Sequence, residues 1–158
     1  MAFLTGPFVA AVGAPGEVHT SQKNPLGSLA QGSDGNIYVY LPGVASVVAY
    51  DWVAYDEAYT TSRLATSSRG PVAIATAAVV ANTYGWFGVK GSFTAAAKDV
   101  ADNANAYSCA SGGAIDDALV KAQRILGAVI RSTDNSTAKT CTVQIDFPFC
   151  PGKLEPTT

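Results

Sequence analysis

Apolar and polar positions alternate along this chain in short bursts, each cut off by glycine, proline or a small polar residue. Period-two alternation rich in β-branched and aromatic residues is the signature of strands that bury one face. The first burst is Ile37-Tyr38-Val39-Tyr40-Leu41, preceded by Asp34-Gly35-Asn36, read as a hairpin turn, and closed by Pro42-Gly43. Val47 to Tyr55 predicts a second strand. A polar, β-branched stretch runs from Tyr59 to Thr66, and Pro71 to Thr76 alternates large and small residues as a strand in a compact barrel does. Residues 84–90 and 92–97 read as two strands with a one-glycine corner at Gly91. Ala106 to Cys109 is a short strand before the Gly112-Gly113 turn. Between Ala114 and Ile130 the pattern is ambiguous: Asp116-Asp117 could cap a helix through Leu119, Lys121 and Arg124, while Ile125 to Ile130 reads better as a strand. Thr140 to Phe147 alternates cleanly, and Pro148 and Pro151 end it.

About six to nine short strands separated by Gly, Pro and Asp/Asn turns argue for an all-β barrel or sandwich. Residues 1–32 differ: Gly6, Pro7, Gly13, Pro15, Gly16, Pro25, Gly27 and Gly32 interrupt any period, yet Phe3, Leu4, Phe8, Val9 and Val12 are apolar. That mixture predicts an extended N-terminal arm that needs a surface to bind, since ordering it costs about 1–2 kcal/mol per residue. The expected organisation is an arm over 1–32, a β domain over 33–150 and a polar tail over 151–158.

Composition sharpens this. Charged residues are 14% of the 158 residues and hydrophobic ones 48%, where about 25% charged is usual in soluble domains. A sparsely charged, small-residue surface is expected to be covered by a partner or by sister subunits. Net charge is −2 and the Lys and Arg residues are scattered, so no electrostatic footprint for nucleic acid is present. No apolar run approaches the ~18 residues of a membrane span. The opening Met1–Pro7 has no basic region and is interrupted by Gly6 and Pro7, so no signal peptide is predicted and cytoplasmic synthesis is expected.

Reactive chemistry is sparse. Cys109, Cys141 and Cys150 have no metal-ligand spacing and read as buried small hydrophobes. His19, the single histidine, lies in the arm, poorly placed for nucleophilic catalysis. Asp56-Glu57 and Asp116-Asp117 are adjacent acids that a strand would send to opposite faces, so turn formation explains them without acid–base chemistry. Tyr50, Trp52, Tyr55 and Tyr59 could stack on sugars, though a core or interface cluster accounts for them more simply. No catalytic residue, metal ligand or cofactor is expected.

The succession Asp34-Gly35-Asn36-Ile37-Tyr38-Val39-Tyr40, Arg69 to Ala75 and Tyr84-Gly85-Trp86-Phe87-Gly88-Val89-Lys90-Gly91 resembles the small head-decoration proteins of tailed bacteriophages. Ala106-Tyr107 before the Gly-Gly turn, Ile125-Leu126-Gly127-Ala128-Val129 and the closing Val143 to Phe149 continue the resemblance over residues 33–150. It departs from the shortest members in the longer arm and the extra segment at 44–66. It implies a compact β-barrel or β-tulip domain, commonly a homotrimer, that binds the outer surface of an icosahedral capsid. Made in the host cytoplasm, such a protein joins the virion by cementing adjacent copies of the major capsid protein, without catalysis. On this reading Phe3, Leu4, Phe8, Val9 and Val12 are the capsid-binding arm residues, and Trp52, Trp86, Tyr84 and Phe93 pack the core or the trimer. Deleting residues 1–30 is expected to leave a folded domain that binds capsids poorly. The rival expectation is a head-fibre or carbohydrate-binding β module using the aromatics of Tyr50–Tyr59.

Overall fold

The computed structural model describes residues 11–152. The chain is all-β, built as one open antiparallel sheet. Its strands are β1 (Val18–His19), β2 (Leu29–Gln31), β3 (Ile37–Pro42), β4 (Trp52–Tyr55), β5 (Thr61–Arg63), β6 (Gly70–Ala75), β7 (Tyr84–Ala96), β8 (Asn105–Ser108), β9 (Ile115–Asp116), β10 (Arg124–Ile130) and β11 (Thr140–Cys150). The main path runs β2-β3-β7-β6-β11-β10-β8-β9, with β1 on β7, β4 on β6 and β5 on β4. The helical alternative over 114–124 resolves as β9 followed by a single 3-10 turn at Lys121–Gln123.

Three predicted boundaries move, one of them the end of β11, which runs through Pro148 to Cys150. Val47–Asp51 is a turn rather than the start of a strand: the Asp51 carboxylate accepts the Val48 N–H at 3.1 Å, and Ser46 and Tyr50 have positive φ. A short acceptor side chain competes with the ladder for the backbone. β7 is one continuous strand of 13 residues rather than two, but it does bend at Gly91, which adopts φ +123. What changes at Gly91 is its neighbours. Before it, β7 pairs with β3 and β6; after it, β11 takes over, from Asp146 opposite Lys90 to Thr140 opposite Ala96. The Asn36 side chain closes the gap left by β3, accepting from Ser92 N and donating to Ser92 O, both at 3.2 Å.

Both sides of the sheet carry apolar packing. The larger cluster holds Tyr38, Tyr40, Trp52, Ile74, Trp86, Phe93, Ile125, Val143 and Ile145. The smaller one, on the opposite side, holds Val39, Leu41, Val53, Ala73, Ala75, Phe87 and Val89 under Val47 and Val79 of the loops. Strands buried on both sides explain why 37–41 and 71–75 carry no charged residue on either face.

The described part of the predicted arm lies against its own sheet. β1 pairs with β7 and β2 with β3, and the buried Asn24 amide clamps Val12 by two hydrogen bonds of 2.9 Å. Trp86 Nε1 donates to Val12 O at 3.1 Å, and the His19 ring hydrogen-bonds the Tyr40 hydroxyl at 2.8 Å.

All three cysteines are buried and free. Burial pushes the Cys141 and Cys150 thiols up to about 11, because the low-dielectric interior penalises the thiolate. Burial, then the hydrogen bond to Asp34, pushes Tyr38 up to about 12. These groups hold their protons longer folded than unfolded, so their contribution is complete below about pH 9 and falls as pH rises toward 11 and 12. We expect Cys141 and Cys150 to resist iodoacetamide at pH 8 in the native protein and to react once it is unfolded. Mass spectrometry reads the outcome; rapid native labelling of either would contradict it.

Candidate interaction surface

The smaller cluster's side of the sheet does not end where its loops end. Ala73 and Ala75 belong to that cluster, so Pro71, two residues earlier on β6, faces the same way. Pro71 stands opposite Phe149 of β11, and Phe149 opposite Leu126 of β10. On the other flank Val72 pairs with Ala54, which brings Tyr55 beside Pro71. Leu126 is 46% exposed, Phe149 44% and the neighbouring Phe147 48%. The result is an uncovered apolar strip, Tyr55–Pro71–Phe149–Leu126, continuous with a buried core. Large exposed apolar groups in one contiguous patch mark interaction sites far better than scattered ones.

A bulge builds the strip. Along β11 the buried positions are Cys141, Val143 and Ile145, then Pro148 and Cys150. The phase shifts at Asp146-Phe147, where Phe147 adopts φ +45 opposite Gly127 at φ +73. β10 shifts in step, burying Ile125 and then Ala128. Here the register between β10 and β11 is irregular, as bulges require. Lys90 sits at the bulge, 2.9 Å from Asp146 and over the Phe147 ring at 5.9 Å.

Next to the strip, Tyr55, Asp56, Glu57, Tyr59, Arg69 and Pro71 line an open recess of about 630 Å³. The Tyr55 and Tyr59 rings stack at 6.4 Å. Burial raises the Tyr55 hydroxyl above its usual range, with the Tyr59 hydroxyl adding to it.

Of the residues singled out in sequence, Phe3, Leu4, Phe8 and Val9 lie outside the described residues. Val12 is exposed but fixed by its backbone to Asn24 and Trp86. Trp52, Trp86 and Phe93 are buried in the larger cluster, and the half-buried Tyr84 packs against it. Trp86 meets the Tyr40 ring edge-on at 5.0 Å. Trp52 Nε1, by contrast, is buried without an acceptor among the described residues. Asp56 and Asp116 serve turns, Asp56 Oδ1 accepting from Ala58 N and Thr60 N and Asp116 Oδ1 from Ala118 N, while Asp117 Oδ2 accepts from the distant Ala101 N.

Sequence reasoning missed Leu126, Phe147 and Phe149, because the clean alternation stops at Phe147 and nothing local shows the strand running on through Pro148 to Phe149. Phe147-Pro148-Phe149 held one usable signal: a proline inside a strand confines it to a bulge or an edge. No helix among the described residues is long and apolar enough to cross a membrane. Compared with known proteins, the chain matches no family model, no curated protein and no solved structure.

Proposed function

We propose that this chain is a non-enzymatic structural protein that docks on the outside of an icosahedral phage shell and cements adjacent capsomers. The observation that carries the reading is the uncovered apolar strip Tyr55–Pro71–Phe149–Leu126 on a rigid two-sided sheet. Such a strip gives a partner a preformed apolar seat, and burying it contributes roughly 25 cal/mol per Å² before the costs of association. The resemblance to head-decoration proteins supplies the identity of the partner, the major capsid protein. It also supplies the virion location and the homotrimer, in which three modest contacts engage together and gain by effective concentration. In the same reading the sheet curls toward a barrel- or tulip-like body. The mutual pairing of β6, β7 and β11 supports that curl.

A second reading has its own observation. The recess with stacked Tyr55 and Tyr59, the acids Asp56 and Glu57 and the cation Arg69 has the aromatic platform and polar rim of a carbohydrate-binding module.

The test is the mass of the purified protein by light scattering, followed by sedimentation with undecorated phage capsids. A trimer that co-sediments and raises the capsids' resistance to heat is the expected result. A monomer that ignores capsids but shows saturable binding on a glycan array would replace this reading with the second.

A further inference from the structure

We propose that the recess above Arg63 binds an aliphatic carboxylate, either free or at the tip of an acidic side chain. The inference does not depend on the shell-binding reading, and it starts from an ion pair that is hard to explain as ballast. Asp51 is the one buried acidic or basic residue among the described residues, its side chain 3% exposed. Its Oδ2 accepts from Arg63 Nε at 2.7 Å, while the Arg63 side chain stays 35% exposed. Buried ion pairs are poor stabilisers, because desolvation offsets most of the attraction. What this pair does achieve is orientation. Nε is the only Arg63 nitrogen engaged in a hydrogen bond among the described residues, which leaves the two terminal nitrogens as a free fork.

The surroundings are shaped around that fork. Gly113, at φ +76, passes so close that a Cβ there would lie 2.7 Å from the Asp51 carboxylate and 3.0 Å from Arg63 Nε. Arg63 lines a recess of about 460 Å³ whose walls include Val48, Ala96, Ala97 and Ala138, with Lys98 and Lys139 also present. Lys139 is shared with Asp99 and Asp134, whereas Lys98 has no ion-pair partner among the described residues. Tyr50 also lines it at φ +76, a conformation that is costly for a non-glycine residue and clusters at binding sites. It is pinned there by Tyr50 N to Ala75 O and Ala96 N to Tyr50 O, both 2.8 Å. A planar guanidinium fork matches a carboxylate by two parallel hydrogen bonds. Apolar walls favour an alkyl body over the hydrated oxygens of phosphate.

The experiment is a titration of the isotope-labelled full chain followed by amide NMR, with butanoate, butanamide and inorganic phosphate as probes. Butanoate is expected to shift the amides of Ala97, Lys98, Ser111 and Gly112 together and saturably, while butanamide leaves them in place. Arg63→Lys keeps a charge for Asp51 but loses the fork, and should weaken butanoate at least about tenfold. Lys98→Ala, at an exposed position, should weaken it about two- to fivefold through lost attraction, and decides the matter if Arg63→Lys does not fold. A blocked alanine–glutamate–alanine tripeptide separates the sources: binding tighter than butanoate assigns an acidic side chain, weaker binding a free carboxylate. An absence of saturable shifts, an equal response to butanamide, tighter binding of phosphate, or a folded Arg63→Lys protein that binds butanoate as the parent does would each overturn the proposal.

Discussion

Replacing Trp86 by alanine is expected to destabilise the fold by about 3–5 kcal/mol, the usual cost of emptying a large aromatic site in a core. Trp86 is 2% exposed, meets Tyr40 edge-on and donates Nε1–H to Val12 O. Its loss therefore opens a cavity and also releases the segment before β1. For a domain of this size the melting temperature should fall by roughly 6–20 °C, and limited proteolysis should begin cutting between residues 11 and 24. Phenylalanine variants separate the two contributions. Trp86→Phe abandons a hydrogen bond, whereas Trp52→Phe removes a buried donor that meets no acceptor among the described residues, a group whose burial costs about 1–3 kcal/mol. Trp52→Phe should thus be the milder change, although Trp52 is at least as buried. Denaturant midpoints measure all three, and a Trp86→Ala protein as stable as the parent would show that the segment and cavity contribute nothing.

Putting aspartate at both Leu126 and Phe149 is expected to weaken the proposed shell binding about 100-fold or more while leaving the thermal midpoint within a few degrees. The two side chains are neighbours across β10 and β11 and point away from the core. Central apolar anchors of an interface carry about 2 kcal/mol or more each when truncated, and charges there must also be desolvated. Co-sedimentation with undecorated capsids reads the binding, and a melt of the same sample reads the fold. Undiminished decoration by a folded double variant would remove the strip from the proposed function. A chain beginning at residue 11 is the companion experiment, because it keeps β1, β2 and the Asn24 clamp. A cut after residue 30 would strip β1 and most of β2 as well.

The fold class was legible because alternation is a local signal. Ile37–Leu41, Pro71–Thr76 and Thr140–Ile145 each announce a strand through residues that touch within a few positions of one another. The boundaries that moved depend on distant partners. Gly91 reads as a break between two strands, but Asn36, 55 positions earlier, bonds Ser92 and carries one strand through the bend. Val47–Asp51 has strand composition, but one carboxylate turns it aside. Trp52, Trp86 and Phe93 were expected in the core or in a trimer contact; all three lie in the larger cluster, where large aromatics bury themselves in almost any arrangement. The strip and the Arg63 recess were invisible for the opposite reason. Leu126 meets Phe149 only across β10 and β11, and Arg63 meets Asp51 only because Gly113 makes room.

The bulge at Phe147 makes the strip a matter of counting. Before it, every second residue of the last long strand points inward; after it, the same odd-numbered rhythm points outward. The outward display of Phe149 is thus encoded by how many residues separate it from Ile145, and only secondarily by its being phenylalanine. Substitutions at that position tune the adhesiveness of a surface that already exists. Insertions or deletions in the matched pair of bulges would create or abolish the surface in one step, leaving the core around Val143 and Ile125 to fold as before.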